Sequence, residues 1–355
     1  MMDYKKELKE LILTVVKEGA SDLHISVGMH PVIRISGALM PLIKMPILSP
    51  EDTEGLILAF LSDFNEKRLK EDKEVDFSYQ FEDKARFRGN AFYQRSFLSC
   101  SLRLIPPQVK DLKSLNLPEA ALQNFTVKEQ GFFLVVGPIG HGKSTTLASM
   151  VDFINHTRSE HILTIEDPIE YLFVQDKSII DQREVFFDTQ SFHRALRSMF
   201  RQDVNVAMIG EMRDPETIST AITAAETGHL ILSSLHTNSA SQTINRIIDS
   251  FPPNQQNQIR IQLSSSLLGI FSQRLVPRIA GGLMPAYELL INNAAVANLI
   301  REGRTHEIDT VIETSLDQGM ISLNRSLADL ARKGEIAIEN AINFSLNPKD
   351  LRRIL

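Results

Sequence analysis

In the first hundred residues, the apolar positions follow two different periods. Residues 4–18 place apolar side chains at helical spacing between Lys and Glu, which predicts an amphipathic helix that ends at Gly19. A second helix is predicted from Pro50 to about Glu71. Short apolar runs around these helices predict six strands, Leu23–Ser26, Val32–Ile35, Ala38–Pro41, Asp76–Gln80, Arg86–Gln94 and Leu98–Leu104. The pattern therefore predicts a small α+β domain with an antiparallel sheet over residues 1–105.

The pattern changes beyond residue 117, where apolar runs alternate with long helical stretches. The runs are Phe132–Val136, Ile162–Ile165, Val206–Ile209 and Leu230–Leu235. This alternation predicts an α/β domain, a parallel sheet covered by helices, and we assign it to residues 117–355. From about residue 284 the chain reads as mostly helical, so residues 284–355 are expected to form a helical subregion. Neither proline of Pro106-Pro107 continues a regular element, so residues 106–116 are the predicted linker.

Composition and charge narrow the class of protein. A chain of 355 residues is long enough for two or three domains, and 43% hydrophobic residues are enough to fill their cores. With 38 basic and 44 acidic residues, the formal net charge is −6. Proteins that coat nucleic acid need an excess of Lys and Arg, so we expect no direct nucleic acid partner. The single cysteine, Cys100, excludes an intrachain disulfide and a multi-thiolate metal site.

The sequence also argues against membrane insertion. The longest apolar runs, such as 11–16 and 132–136, are far short of the roughly 20 residues that cross a bilayer. The first residues, Met-Met-Asp-Tyr-Lys-Lys-Glu, lack the pattern of a secretory signal. We therefore expect a cytoplasmic protein that reaches a membrane only through a partner.

Residues 137–144 read Gly-Pro-Ile-Gly-His-Gly-Lys-Ser and fit the phosphate-binding pattern G-x-x-x-x-G-K-[ST], between a predicted strand and a predicted helix. Backbone N–H groups of such a loop bind phosphate oxygens, Lys143 would reach the β- and γ-phosphates, and Ser144 would bind Mg²⁺. A chance match is expected in only about 1% of chains of this length. At His141 only the backbone is required, so its side chain has no assigned role. We expect ATP and Mg²⁺ as cofactors, with the nucleotide bound by Gly137, Pro138, Ile139, Gly140, His141, Gly142, Lys143, Ser144 and Thr145.

The other strands predicted beyond residue 117 end in polar residues. One leads into Glu166 and Glu170, the next into Glu211, and the last into His236. Ligands of a parallel sheet bind at the carboxyl ends of its strands, so these four residues are candidate catalytic groups. A carboxylate at Glu211 can orient the attacking water and accept its proton. Taken singly, each acid could equally be a helix cap or a surface residue.

In phosphate-loop ATPases, the second acidic strand often carries an Asp linked to Mg²⁺, and Gly210 occupies that position here. Glu166, Asp167 or Glu170 could then supply that function through water. The predicted Mg²⁺ ligands are Ser144, Glu166 and Glu211.

Several of these motifs occur in an order that is typical of one family. The segments are Gly19–His24, Ala85–Asn90, the phosphate loop, Thr164–Tyr171, Gln182–Val185, Gly210–Asp214 and Ala225–Thr237. In them the chain resembles the secretion and type IV pilus ATPases, and among these the pilus retraction ATPases, over nearly its whole length. The resemblance implies a PAS-like N-terminal domain and a RecA-like ATPase domain, closed into a homo-hexameric ring. It also implies that ATP hydrolysis drives pilus disassembly, and hence twitching motility.

The same resemblance implies two further kinds of contact. In such rings the first domain of one subunit supplies arginines to its neighbour's ATP, and Arg88 and Arg103 are the candidates here. An inner-membrane pilus platform protein is the expected partner, which would hold the ring at the cytoplasmic membrane. Both arginines could also be ordinary strand residues.

The direction of the motor rests on two points of the resemblance. Assembly ATPases usually have a longer N-terminal region and a four-cysteine metal site, which a chain with one cysteine cannot form. Retraction ATPases carry a C-terminal box, here Ala-Val-Ala-Asn-Leu-Ile-Arg-Glu at residues 295–302, with Ala297 where Arg is typical. The box is alternatively a plain amphipathic helix with Val296, Leu299 and Ile300 inward. Alternative functions are pilus or pseudopilus assembly, type II secretion, accessory retraction, and nucleotide binding without turnover, against which Glu211 argues.

Overall fold

The computed structural model describes residues 3–35, 37–82, 84–105 and 108–355. The chain divides into two compact units, the first reaching to Gln108 and including Pro168–Leu172, the second comprising Val109–Asp167 and Phe173–Leu355. The predicted break at Pro106-Pro107 lies outside the described residues. Residues 109–116 of the predicted linker belong to the second unit.

The strands of the first unit are β1 Asp22–Ile25, β2 Val32–Ile35, β3 Ala38–Pro41, β4 Glu74–Phe81, β5 Ala85–Gln94 and β6 Phe97–Ile105. They form one antiparallel sheet in the order β3-β2-β1-β6-β5-β4. The helices are α1 Tyr4–Lys17, α2 Pro50–Leu58 and α3 Asp63–Asp72. The apolar face of α1 packs into the same hydrophobic cluster as the sheet. The predicted amphipathic helix and the six predicted strands are confirmed.

The single helix predicted over residues 50–71 is wrong, because the structure divides it into α2 and α3. The Ser62 hydroxyl accepts a hydrogen bond from the Asn65 N–H and starts α3 as its N-cap. Between the two helices, Phe60 is buried and its ring contacts Tyr79 edge-on, with centroids 5.0 Å apart. Burial of this ring and capping of α3 explain the break.

The strands of the second unit are β7 Gly131–Val136, β8 His161–Glu166, β9 Ile179–Glu184, β10 Val206–Ile209, β11 Leu230–Leu235, β12 Leu267–Pro277 and β13 Leu283–Ile291. They form one sheet in the order β13-β12-β7-β11-β10-β8-β9, in which every neighbouring pair is parallel except β12 and β13. Every residue of β7 is buried, and successive residues enter two different hydrophobic clusters. Both faces of the central strands are therefore covered, which confirms the predicted α/β class.

The helices of the second unit are α4 Glu119–Thr126, α5 Lys143–Thr157, α6 Phe192–Met199, α7 Pro215–Glu226, α8 Ala240–Asp249, α9 Pro253–Ser266, α10 Ala294–Glu302, α11 Ile308–Thr314, α12 Leu323–Arg332, α13 Ile338–Phe344 and α14 Pro348–Ile354. Helix α10 carries the predicted C-terminal box. Its Val296, Leu299 and Ile300 are buried in the main core cluster, as the amphipathic interpretation expects. No helix in the described part of the chain is long and apolar enough to cross a bilayer.

Strands β9, β12 and β13 are additions to the predicted sheet. The helical subregion predicted over residues 284–355 is wrong at its start, where β13 continues the sheet. A nearly continuous apolar run does not by itself distinguish a buried strand from a helix. Gly281 and Gly282, with φ values of +90° and +77°, turn the chain between β12 and β13.

Candidate active site

The phosphate loop, residues 137–144, lies between the buried strand β7 and helix α5, the context that its motif requires. Gly137, Gly140 and Gly142 adopt φ values of +146°, +78° and +81°, which other residues rarely adopt. Gly137 also needs glycine for space, because a Cβ there would lie 2.4 Å from the backbone oxygen of Gln273. The glycines therefore permit a backbone path that other residues could follow only under strain.

Lys143 begins helix α5, and its ammonium group lies back inside the phosphate loop. Its Nζ donates hydrogen bonds to the carbonyl oxygens of Gly137 and Pro138, at 3.0 and 2.9 Å. The same Nζ lies 3.1 Å from His236 Nδ1. An ammonium group has no acceptor, so His236 accepts this bond through an unprotonated Nδ1. The structure thus brings together two residues that the sequence places 93 positions apart.

The other predicted nucleotide-binding residues surround this lysine. Ile139 is 84% exposed at the tip of the loop. Ser144 is exposed and Thr145 is half-buried in the first turn of α5. The side chain of His141 is half-buried and contacts β12, as described below.

Glu211 and His236 follow the neighbouring parallel strands β10 and β11 and lie side by side. His236 Nε2 is 3.7 Å from one Glu211 carboxylate oxygen, and Arg213 Nη2 is 2.5 Å from the other. Glu211 keeps only 16% of its side chain exposed, whereas Arg213 keeps 72%. Lys143, His236, Glu211 and Arg213 thus form one continuous polar row at the carboxyl end of the sheet. This arrangement places a carboxylate one imidazole away from the phosphate loop.

The pKa of His236 lies below its ordinary value of 6.5. Burial is the main cause, and the positive charges of Lys143 and Arg213 add to it, whereas Glu211 raises the pKa. His236 is therefore neutral at pH 7, which agrees with its role as acceptor for Lys143. With Nδ1 as the acceptor for Lys143, the neutral imidazole carries its proton on Nε2, the nitrogen that faces Glu211.

Glu166 ends β8 and is 7% exposed. It accepts a hydrogen bond from the Thr164 hydroxyl at 2.8 Å. A Cβ at Gly210 would lie 3.8 Å from Glu166 Cγ, so an Asp at position 210 would stand directly beside this carboxylate. Glu184 of β9, also 7% exposed, lies opposite Glu166 in the sheet register. Glu184 lies in the family segment Gln182–Val185, but sequence reasoning did not name it as a site residue, because β9 is a partly polar strand that no apolar run marks.

The oxygen donors of Ser144, Glu166 and Glu211 suit Mg²⁺, which usually combines one or two carboxylates with phosphate oxygens and waters. In the parts of the chain that the structure describes, no three His, Cys, Asp or Glu side chains form a group that could hold a metal ion. A Mg²⁺ ion bound by these donors would therefore need nucleotide phosphates as further ligands.

Glu170 belongs to the first unit, together with the rest of Pro168–Leu172. Arg88 Nη1 donates a hydrogen bond to Glu170 Oε1 at 3.0 Å, so two predicted site residues pair with each other. Arg86, two residues earlier on β5, donates from Nε and Nη2 to the Ile169 carbonyl oxygen at 3.3 and 3.1 Å. Two arginines of β5 thus bind the segment Pro168–Leu172, which contains Glu170.

Arg103 lies opposite Arg88 on the neighbouring strand β6. Its Nε donates a hydrogen bond to Asp22 Oδ1 at 3.1 Å, and Arg34 lies 3.5 Å from the second oxygen of the same carboxylate. Arg103 keeps 68% of its side chain exposed and Arg88 keeps 41%. The two candidate arginines therefore lie on one face of the first unit's sheet, each with a carboxylate partner.

A cavity of about 460 Å³ opens beside Glu211 and His236. Arg213 and Arg246 line it with positive charge, and Ile139 extends into it from the tip of the phosphate loop. A carboxylate that could activate water therefore shares one open volume with two cationic side chains.

Two ionisable side chains, Arg274 on β12 and Glu288 on β13, bind the segment after His236, and sequence reasoning missed both. Arg274 is 5% exposed, and its Nη2 donates hydrogen bonds to the backbone and side-chain oxygens of Asn238, at 3.1 and 3.0 Å. Glu288 of β13 accepts a hydrogen bond from the Ala240 N–H at 2.7 Å. Arg274 and Glu288 thus hold the loop that follows His236. The only signal in the sequence is the presence of charged residues inside apolar runs.

Comparison with known proteins finds similarity over nearly the whole chain. The model of the family described as Type II/IV secretion system protein matches residues 3–343. The type IV pilus retractation ATPase PilT of Pseudomonas aeruginosa is 43% identical over 335 residues, which cover 94% of this chain and 97% of the relative. The type IV pilus ATPase PilU of the same organism is 39% identical over 350 residues, which cover 98% of this chain and 91% of the relative.

A crystal structure described as the pilus retraction motor PilT with bound ADP is similar to this one. The TM-score is 0.89 at 47% sequence identity, and the match covers 97% of this chain and 98% of that chain. At this coverage, the similarity extends over both units.

Proposed function

Because the chain belongs to the family of type II/IV secretion system proteins, we propose that it is a motor ATPase that couples ATP hydrolysis to type IV pilus retraction. The observation that carries the proposal is the row that joins Lys143 of the phosphate loop to Glu211 through His236. A module that only binds nucleotide has no need of a carboxylate aligned with the phosphate loop. The likeness to an ADP-bound retraction motor supports the same activity.

In the proposed mechanism, the backbone N–H groups of the phosphate loop, to which Pro138 cannot contribute, and the Lys143 ammonium bind the β- and γ-phosphates. Ser144, Glu166 and Glu211 are the residues that would hold Mg²⁺, which when bound would supply positive charge to the phosphates. Glu211 orients the attacking water and accepts its proton. His236 bridges Glu211 and Lys143, and it keeps both in register with the γ-phosphate.

The first unit is proposed to be PAS-like and the second RecA-like, with six copies closed into a ring. Arg88 and Arg103 would reach a neighbour's ATP from the exposed face of the first unit's sheet, and Glu170 is placed to release or hold Arg88. The ring would work on the cytoplasmic side of the inner membrane against a pilus platform protein. Neither membrane insertion nor direct nucleic acid binding is part of the proposal.

Two variants test the chemistry. Lys143→Ala should abolish nucleotide binding, and Glu211→Gln should keep binding while steady-state ATP hydrolysis falls by at least about 100-fold, the contribution usual for a general base. Glu216→Gln, which changes an exposed acid in the first turn of α7, is the matched control and should keep full activity. Normal hydrolysis by Glu211→Gln would refute the assigned role.

Mixed rings test whether Arg88 of one subunit acts on the ATP of its neighbour. Neither Arg88→Ala nor Lys143→Ala alone should hydrolyse ATP at a useful rate. Mixed rings should regain part of the activity, because an intact phosphate loop would then face an intact arginine. If mixing restores nothing while mixed rings assemble, Arg88 does not act across the subunit boundary.

The direction of force requires the source cell. Deletion of the gene should leave long pili that do not retract, as imaged by labelled pilus filaments, whereas bald cells would indicate an assembly motor. The 39% identity to PilU over 98% of the chain favours accessory retraction as a second candidate. That candidate predicts a deletion strain whose pili still retract, at a reduced rate.

A further inference from the structure

The side chain of His141 makes a contact that phosphate binding does not require. Phosphate loops bind their ligand through backbone N–H groups, so position 141 needs no particular side chain. Here His141 Nδ1 accepts a hydrogen bond from the Leu275 N–H of β12 at 2.9 Å. The carbonyl oxygen of the same histidine accepts from Gln273 Nε2, also at 2.9 Å. Side chain and backbone of one loop residue are thus bound to one strand.

The same strand holds the loop at further points. Gln273 Oε1 accepts a hydrogen bond from the Thr146 hydroxyl at 2.7 Å, so its amide bridges the loop and the first turns of α5. A Cβ at Gly142 would lie 3.0 Å from Gln273 Nε2 and 3.4 Å from Leu275 Cδ1. The loop therefore lies directly against β12, and His141 supplies two of its attachments.

The imidazole ring of His141 also reaches the C-terminal helices. It lies edge-on to Phe344 of α13, with centroids 6.2 Å apart and an interplanar angle of 75°. Phe344 packs on a separate hydrophobic cluster that contains Val276 of β12 and Leu327 of α12. His141 thus touches the phosphate loop's support on one side and the C-terminal helices on the other.

The protonation state of His141 agrees with this geometry. Because Nδ1 accepts a backbone N–H, the ring proton is on Nε2. Burial lowers the pKa of His141, and the charges of Arg274 and Lys143 lower it further. The ring is therefore kept neutral, as its contact with Leu275 requires.

We propose that His141 is a positioning residue that holds the phosphate loop against β12 and couples nucleotide binding to the C-terminal helices through Phe344. This inference rests on the proposed function, since it assumes that the loop binds a nucleotide. The hydrogen bond positions the loop for its ligand, whereas the ring contact carries the effect of binding to α13. The two parts can be separated by substitution.

Three variants separate them. His141→Asn keeps an acceptor near the position of Nδ1 but has no ring, His141→Phe keeps a ring but has no acceptor, and His141→Ala has neither. A fluorescent ADP analogue should bind to the Ala and Phe variants roughly fivefold more weakly, since each loses one hydrogen bond. The Asn variant should bind within about twofold of the unchanged protein. His156→Ala, which changes an exposed histidine of α5, the helix that follows the loop, is the control and should bind normally.

Hydrogen exchange of residues 338–344 tests the coupling. ADP should slow this exchange in the unchanged protein and in His141→Phe, but not in His141→Ala or His141→Asn. Equal affinity in all three variants, or Asn binding as weakly as Ala, would overturn the positioning role. An equal exchange response in every variant would overturn the coupling. If the unchanged protein itself failed to bind the analogue, the proposed function would be refuted. A failure of the positioning role alone would leave that binding intact, so the two failures are distinguishable.

Discussion

Glu288 offers a sharp test of how the sheet supports the site. It lies on β13, is only 7% exposed, and accepts a hydrogen bond from the Ala240 N–H at the start of α8. Burial raises its pKa from 4.5 to about 7, although the Ala240 N–H and Arg274 act in the opposite direction. Asp309 adds a smaller upward contribution. A carboxyl in this position is stable in its neutral form and costly in its charged form.

The stability of the second unit should therefore depend on pH through Glu288. Below pH 4.5 the carboxyl is protonated in both the folded and the unfolded chain, so it carries no charge penalty. As the pH rises, the unfolded chain ionises first and the folded state loses stability relative to it. Above about pH 7 the penalty is complete. The interval between the two pKa values corresponds to roughly 3 kcal/mol at 1.36 kcal/mol per pKa unit.

Glu288→Gln removes this penalty and keeps a carbonyl oxygen for the Ala240 N–H. The unfolding free energy of the variant minus that of the unchanged protein should increase by roughly 2–3 kcal/mol from pH 5 to pH 8. In a unit of this size, that is a relative rise in melting temperature of about 5–10 °C. Circular dichroism melts of both proteins at the two pH values measure it. Glu339→Gln, which changes an exposed acid on α13, is the control and should show no such trend.

The comparison is a difference between two proteins, so titration of all other groups cancels from it. If the melting temperatures of Glu288→Gln and the unchanged protein differ by the same amount at both pH values, Glu288 is already ionised in the folded state at pH 5. The Ala240 N–H and the charge of Arg274 would then outweigh burial, and the reasoning from burial would be refuted.

Two further outcomes follow from the structure. Gly137→Ala should abolish binding of a fluorescent ADP analogue and lower the melting temperature, because its Cβ would lie 2.4 Å from the Gln273 carbonyl oxygen. Gly281→Ala is the control, because Gly281 has φ +90° but an added Cβ would meet no atom within 4 Å. This variant carries only the conformational strain of about 1–2 kcal/mol and should still bind the analogue. Equal loss of binding in both variants would contradict the steric argument. Cys100 is buried and its pKa is raised by burial, so a thiol reagent at pH 8 should leave the native protein unlabelled and label one site per chain in urea. Rapid labelling of the native protein would show that the first unit opens readily.

Local features of the chain were sufficient to predict the parts of the site that lie close together in sequence. The phosphate loop has a fixed spacing of glycine, lysine and serine, so residues 137–144 could be placed between a strand and a helix without a structure. The apolar runs at 206–209 and 230–235 predict β10 and β11 with the bounds that the structure has. Because both strands are central and parallel, their ends bring Glu211 and His236 together.

The supports of the site could not be predicted in the same way. His141 and Leu275 are 134 residues apart, and nothing near either residue indicates the other. Strand β12 carries Gln273 and Arg274 in its interior, and these polar residues interrupt the apolar run that would otherwise mark a strand. Glu170 follows β8 in sequence, yet it belongs with the first unit, where it binds Arg88. Each of these positions depends on packing between distant segments.

Position 210 also adjoins a strand that is distant in sequence. A Cβ there would be in ordinary van der Waals contact with Glu166, 3.6 Å from its Cα and 3.8 Å from its Cγ, so an acidic side chain at the end of β10 would lie beside the Glu166 carboxylate. The Gly210 N–H donates to the Ile165 carbonyl oxygen at 2.8 Å, and the Gly210 carbonyl oxygen accepts from the Ser234 hydroxyl at 2.6 Å. These bonds on both sides hold the backbone before Glu211, although glycine is flexible by nature. In the proposed mechanism, Glu166 at the end of β8 would supply the Mg²⁺ carboxylate that position 210 lacks, and Glu211 would orient the attacking water.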